Sequence, residues 1–424
     1  MRVSMKRCMK VFTMFKKHFS ANQKDSVLRL RSVRKPLLKY LLGLIVYDTF
    51  VVLLFLLLRP NPSSWLFDDR FVVRNRLLYY VDFRPGYPPL GKLPYIFLHN
   101  NDEGILLYHL ITFDVLLGIV YKFLKCITDR RRALILVSTV AFYPPLLLAT
   151  LYIPHADLLA LLWLLISIYF IIKGNPVGVG VFISLGFLTK FYNIILLLPA
   201  LLLFRGWGRV AVLSSFLATF FTISAPFLAV DPLMYASTYT HHLYRGPSES
   251  LFALLDGYFS HTGFHHPTYE AAIYSWQFAA LYNPSNLDHF RYAWNYPQLR
   301  YVSLTLQIMF VILISLISIT IKDGARMLKA VLLSSLSYFT FSAFWNPLIA
   351  IPFFVLIMLI TIDLKMSHQM LVLAGFYMVD VLHYLVWFPG LFLDTRLSLL
   401  VVVVLRAVLT SLTLYVAAGG RRLW

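Results

Sequence analysis

The sequence predicts an all-α polytopic membrane protein, and three observations carry that expectation. Apolar residues make up 59% of the 424, charged residues only 13%, and the mean hydropathy is +0.72. Ordinary soluble domains run about 45–50% apolar and about 25% charged. Apolar runs recur along the chain at lengths near the roughly 20 residues that cross a bilayer, and the basic residues collect between those runs. A soluble enzyme, a disordered chain and a disulfide-stapled secreted module are excluded. Cys8 and Cys126 are too few for a disulfide framework or a thiolate metal cluster.

In chain order, residues 1–36 form a basic tail that lacks the apolar stretch of a cleavable signal peptide. Within it Met5, Met9, Phe12 and Phe19 fall near one helical face among lysines, as in an interfacial basic helix, but the preferred reading of the same residues is a plain cytoplasmic tail that obeys the positive-inside rule. Residues 37–424 form the transmembrane domain. Its apolar runs give about twelve spans, at 37–58, 105–121, 133–153, 157–172, 177–189, 191–204, 210–230, 301–321, 330–345, 347–362, 369–388 and 397–418. The pair at 177–204 is short and crowded around Lys190, as in a broken or re-entrant element.

The positive-inside rule retains Lys and Arg on the cytoplasmic side. With the N-terminus placed inside, 26 of the 38 basic residues fall in cytoplasmic segments and 11 outside, with Arg406 within the last span. Both termini are therefore expected in the cytoplasm of a multi-pass protein, in a prokaryotic plasma membrane or an endoplasmic reticulum membrane. The formal charge of +19 is thus mostly a topology signal and calls for no nucleic acid.

Two outer segments exceed the other connections in length, 59–104 and 231–300, and long loops in compact proteins are usually functional. The first holds the acidic pair Asp68-Asp69, then Arg70, Arg74 and Arg76 among apolar residues, which fits an amphipathic helix lying in the interface. Arg84 follows, and then Tyr87-Pro88-Pro89-Leu90-Gly91-Lys92, expected to be a turn stiffened by its prolines that holds Tyr87 and Lys92 near the headgroups. A carboxylate and a cation beside a lipid phosphate are the parts of an acid–base transfer site.

These residues resemble the GT-C glycosyltransferases. The Tyr87–Lys92 string is similar to the protein O-mannosyltransferase branch, and comparable arrangements occur in lipid A aminoarabinose transferases and polyprenyl-phosphate-mannose-dependent mannosyltransferases. Pro154-His155-Ala156-Asp157 and Leu188-Thr189-Lys190-Phe191-Tyr192 resemble the middle of such enzymes, and the stretch Tyr239–Ser250, with His241, His242, Arg245 and Ser248, resembles their long loop after the seventh span. Trp345-Asn346-Pro347 departs from the Ser-Pro-Gln-Tyr that relatives often carry there. The resemblance covers about residues 40–390.

The resemblance implies a GT-C fold and an inverting glycosyltransferase that moves mannose or another hexose from a polyprenyl or dolichyl phosphate donor. The acceptor hydroxyl would belong to a lipid, a glycan or a protein on the extracytoplasmic or lumenal face. Asp68 or Asp69 would be the general base, and Arg84, Tyr87, Lys92, His155, Asp157, Lys190, His241, His242 and Arg245 would bind donor phosphate or substrate. A carboxylate can take the proton of an attacking hydroxyl, and preplaced cations stabilise charge developing on a phosphate leaving group.

Plainer roles exist for each of these. Asp68 and Asp69 suit helix N-caps, Lys92 and Arg84 suit headgroup anchors, and Arg245 suits a solvated loop. The histidines at 241, 242, 261, 265 and 266 match no established zinc spacing, so no cofactor is called for, while a divalent metal stays open. Asp48, Asp114 and Asp380 inside spans raise a rival, a proton-coupled transporter or lipid flippase. Against it, no inverted repeat or matched pair of broken spans is found.

Overall fold

A computed structural model describes residues 88–98, 102–151, 156–233, 235–236, 238–239, 247–257, 294–320, 324–345, 348–387 and 395–419, with Val46, Thr49 and Leu53. The described residues are 86% helical and contain no strand. Among the described residues, four helices are long and apolar enough to cross a membrane, at Glu103–Lys125, Trp207–Val230, Gln298–Ile317 and Leu399–Val416. The described residues thus have the helix content and the apolar helices of an all-α membrane protein.

Pro89–Phe97 is a helix (α1), not the stiff turn expected there. Proline at the first helical position lacks only an N–H that would be unpaired anyway, so the two prolines start a helix instead of arresting the chain. Tyr95 of α1 hydrogen-bonds His109 of α2 (Asp102–Ile127) at 3.0 Å. Asp129 caps α3 (Arg130–Ala141) by accepting the Arg132 N–H at 2.9 Å, and that bond holds its carboxyl below the usual range. The expected span at 133–153 is interrupted at Phe142–Tyr143, before α4 (Pro144–Leu151).

The segment that positions the candidate site is α5 (Asp157–Lys173), α6 (Pro176–Thr189), a 3-10 helix (Phe191–Leu196), α7 (Leu197–Leu203) and α8 (Trp207–Val230). Gly174 closes α5 in the left-handed conformation at φ 64°, and its N–H bonds the Ile171 carbonyl. Asn175 then caps α6 through the Gly178 N–H, with Pro176 at the first helical position. The result is an antiparallel hairpin. α6 and α8 run parallel, because Gly180 faces Val212 and Ser215 while Phe187, further along, faces Phe216 and Phe220. The 3-10 helix and α7 must therefore carry the chain back across the bundle, and at about 2.0 and 1.5 Å per residue they match the length of α6.

α9 (Leu251–Asp256) precedes α10 (Gln298–Thr320) and α11 (Gly324–Thr340), which are antiparallel, with Ser315 facing Ser334 and Ser303 bonding the Phe341 carbonyl. α12 (Ala350–Ile360) is buried at every residue and stacks Phe354 on Tyr143 at 4.0 Å. α13 (Met366–Trp387) and α14 (Thr395–Gly419) complete the bundle.

The contacts sort the charges to two ends. At one end Arg132 forks to Gln369 and the Leu364 carbonyl, Lys329 pairs with Asp363 at 3.6 Å, and Lys122 and Lys173 flank Tyr169. The hairpin geometry places Arg205 and Arg209 at that end too. The opposite end holds α1, Asp157, Lys190, residues 247–257 and the start of α10.

Candidate functional site

At that opposite end the chain leaves α6 in an extended residue, Lys190 (φ −154°, ψ 124°), before the 3-10 helix begins. The break is locked by packing. Asn193 donates to the Ala160 carbonyl at 2.8 Å and lies so close to Gly186 that a Cβ there would come within 1.9 Å of its amide nitrogen. Only glycine permits this approach.

Lys190 is thereby turned onto the first residue of α5, and its Nζ donates to Asp157 at 2.5 Å. Asp157 is fully buried and Lys190 is 5% exposed. Removing two ions from water costs several kcal/mol each, which only a close, well-bonded pair offsets. The pair is thus intact as a unit and costly when halved. Tyr192, next along, is 2% exposed, and its hydroxyl has no hydrogen-bond partner among the described residues.

Lys190 and Tyr192 line a cavity of about 540 Å³ between the 3-10 helix and α7 on one side and α10 and α11 on the other. Its polar lining is made by Lys190, Tyr239, Arg300, Ser303, Gln307 and Ser342. The body is apolar, with Ile194, Leu198, Leu304, Ile308 and Ile312 on its walls. Leu304, Ile308 and Ile312 are also partly exposed, at 37%, 51% and 41%, and Ile308 and Ile312 belong to a shallow apolar groove on α10. The cavity can hold an amphiphile, head at the polar lining and tail along α10.

No protein-family model matches this chain, and no curated protein matches it. The site therefore stands on its own geometry.

Of the expected site residues, the structure joins Asp157 and Lys190 directly and places Lys92, half-buried on α1, at the same end of the bundle. Asp68, Asp69, Arg84, Tyr87, His155, His241, His242 and Arg245 lie outside the described residues. Among the described residues no three or more His, Cys, Asp or Glu side chains could hold a metal ion together.

A second polar cluster sits beside the cavity. Ser248 forms an isolated bridge with Phe344, its N–H bonding the Ala343 carbonyl at 3.0 Å and its carbonyl accepting the Trp345 N–H at 2.7 Å. This threads Glu249 into the bundle at φ 49°, a left-handed conformation that a non-glycine residue holds only under strong constraint. The constraint is visible: His383 donates to the Glu249 carboxylate at 2.7 Å, Arg406 donates to its carbonyl at 3.1 Å, and the Arg406 guanidinium stacks on Trp345 at 4.2 Å. Asp380 accepts from Tyr143 nearby. Sequence reasoning singled out neither Arg300 nor the Glu249–His383–Arg406 cluster. An ionisable residue within a span is a functional candidate by default, so Arg406 carried a usable signal. Arg300 carried none beyond its charge.

Proposed function

We propose that the chain is a GT-C type glycosyltransferase of about twelve membrane spans with both termini cytoplasmic. It takes mannose or another hexose from a polyprenyl phosphate donor and passes it, with inversion, to an acceptor hydroxyl on the extracytoplasmic or lumenal face. The observation that carries the reading is the amphipathic cavity: a polar lining that includes Arg300 and the Asp157-paired Lys190, and an apolar body that includes exposed residues of α10. A lipid-linked sugar presents that combination of chemistries, whereas a water-soluble nucleotide sugar has no use for an apolar channel.

The uneven distribution of basic residues between the two ends of the bundle supports that orientation. The end rich in Lys122, Arg132, Lys173, Arg205 and Lys329 is the cytoplasmic one by the positive-inside rule, which leaves Lys92, Asp157 and Lys190 on the outer side. In the reaction, Asp68 or Asp69 takes the acceptor proton as the hydroxyl attacks the anomeric carbon. The bond from that carbon to the phosphate oxygen breaks, and basic side chains hold the departing phosphate.

The buried Glu249–His383–Arg406 cluster favours a second reading, a lipid or sugar transporter, since such networks also carry protons or ions in transporters. The test is donor choice. Purified protein given polyprenyl phosphate mannose or glucose, in parallel with the matching nucleotide sugars and an acceptor extract, should form product only from the lipid-linked donors. Product from a nucleotide sugar alone would overturn the proposal.

A further inference from the structure

The basic end of the bundle has a corner with far more positive than negative charge. Residues 122–132 hold Lys122, Lys125, Arg130, Arg131 and Arg132 against one acid, Asp129. Arg132 turns inward to Gln369 and the Leu364 carbonyl, and Asp129 is taken up in capping α3. Lys122 and Lys125, one turn apart on α2, are exposed, as are Arg130 and Arg131 at the start of α3. Among the described residues the other acid at this end, Asp363, pairs with Lys329 at 3.6 Å. Tyr169 of α5 gathers charge at the same corner. Its ring centre lies 5.4 Å from the Nζ of Lys122 and 5.5 Å from the Nζ of Lys173, so ammonium groups from two helices converge on one ring. Like charges brought together in this way favour an anion beside them.

The surface just deeper along α3 is apolar. Arg131, Leu134, Ile135 and Ser138 recur at helical spacing on one exposed face, with Leu134 at 45% and Ile135 at 38% exposure. Leu134 and Ile135 lie roughly 5 Å, about one turn, further into the bundle than Arg131. A cationic corner thus stands directly over a strip of aliphatic side chains. We infer that this corner binds an anionic diacyl phospholipid, with its phosphate against Lys122, Arg130 and Arg131 and an acyl chain along the exposed face of α3. A guanidinium donates two parallel N–H bonds to a phosphate, and basic pockets between spans suit anionic headgroups. The plainer role for these residues is as headgroup anchors at span ends, which any lipid phosphate satisfies. Anchors give no preference between headgroups, whereas this corner discriminates, because a zwitterionic headgroup brings a cation of its own. The assignment is separate from the glycosyl-transfer reading and takes from it only that this leaflet is the cytoplasmic one.

The test titrates full-length purified protein in neutral detergent at low salt with dioleoyl phosphatidylglycerol, dioleoyl phosphatidylcholine or glycerol 3-phosphate, and counts bound molecules by native mass spectrometry. Phosphatidylglycerol should bind about tenfold or more tighter than phosphatidylcholine, and glycerol 3-phosphate, which has no chain for the apolar strip, should bind far more weakly. At about fivefold for each basic residue lost, Lys122→Gln/Arg131→Gln should lower phosphatidylglycerol affinity by about tenfold or more and leave phosphatidylcholine unchanged. The charge-matched control is Arg205→Gln/Arg209→Gln at the start of α8, whose main packing partner is α6; it should stay within about threefold of wild type. Should Lys122→Gln/Arg131→Gln fail to fold, Lys122→Gln/Lys125→Gln carries the same expectation. Equal binding of the two phospholipids by the wild type would reduce the corner to plain anchors. Equal loss in both double variants would spread the effect over the whole charged end, and glycerol 3-phosphate bound as tightly as the lipid would make the ligand a free phosphate. Each of these three results overturns the assignment.

Discussion

Replacing Gly180 with alanine tests the helix arrangement on which the site depends. A Cβ at position 180 would lie 2.2 Å from the Val212 carbonyl oxygen, 2.0 Å from Ser215 Oγ and 2.9 Å from the Phe216 nitrogen. The serine side chain can rotate away, but the α8 backbone cannot. Against an ordinary contact that starts at 3.4 Å, the helices must separate by about 1 Å. Overpacking of this kind costs about 1–3 kcal/mol, and a backbone obstacle puts it at the upper end. In a chain of this size that corresponds to a melting shift on the order of 5 °C. The matched control is Gly375→Ala, whose Cβ would first meet the flexible Leu409 side chain at 3.3 Å. Thermal unfolding of both variants in detergent, followed by tryptophan fluorescence, should show a drop of several degrees for position 180 and little change for 375. Equal melting temperatures would refute the parallel packing of α6 on α8, and with it the return path that places Lys190.

Other expectations follow from the same geometry. Asp157→Asn or Lys190→Met should each destabilise by about 3–5 kcal/mol, because one ion stays buried without its partner, while the double variant Asp157→Leu/Lys190→Met should recover much of that loss in the same melts. Asn at one of Asp68 and Asp69 should cut turnover by roughly 10²-fold or more with donor binding intact; Asn at the other should matter far less, and normal turnover in both single variants would move the base elsewhere, with Asp157 next. Single cysteines placed in 59–104 or 231–300 should label from outside sealed cells, and those in 122–132 or 322–329 should not; the reverse pattern would invert the orientation and remove the site from the outer face.

Much of the architecture was legible because it is written in local chemistry. Gly174-Asn175-Pro176 is a C-cap, an N-cap and a first-turn proline in succession, so the α5–α6 hairpin follows from sequence alone. Asp157 and Lys190 stand almost equidistant from that turn, which is why a hairpin brings them together. The crowding around Lys190 likewise signalled the break, although its lock, Asn193 against Gly186, needs three dimensions. The helix at Pro89–Phe97 was misread as a turn because proline both stops and starts helices, and its neighbours decide which. Arg300 and Tyr192 share a cavity because α7 and α10 pack across a sequence separation of about a hundred residues. No local pattern reports such a contact. Glu249 was hidden for a related reason: Ser248 and Ser250 look like loop residues until Ala343 and Trp345 pair with them.

Enzyme and transporter separate most directly in sealed vesicles that contain the purified protein, polyprenyl phosphate mannose labelled in the sugar, and an acceptor extract supplied on the outer face. The account predicts a labelled glycosidic product on that face together with one equivalent of free polyprenyl phosphate, and loss of both in whichever of Asp68→Asn and Asp69→Asn removes the base. Intact labelled lipid recovered from the opposite leaflet, with no glycosidic product, would contradict it.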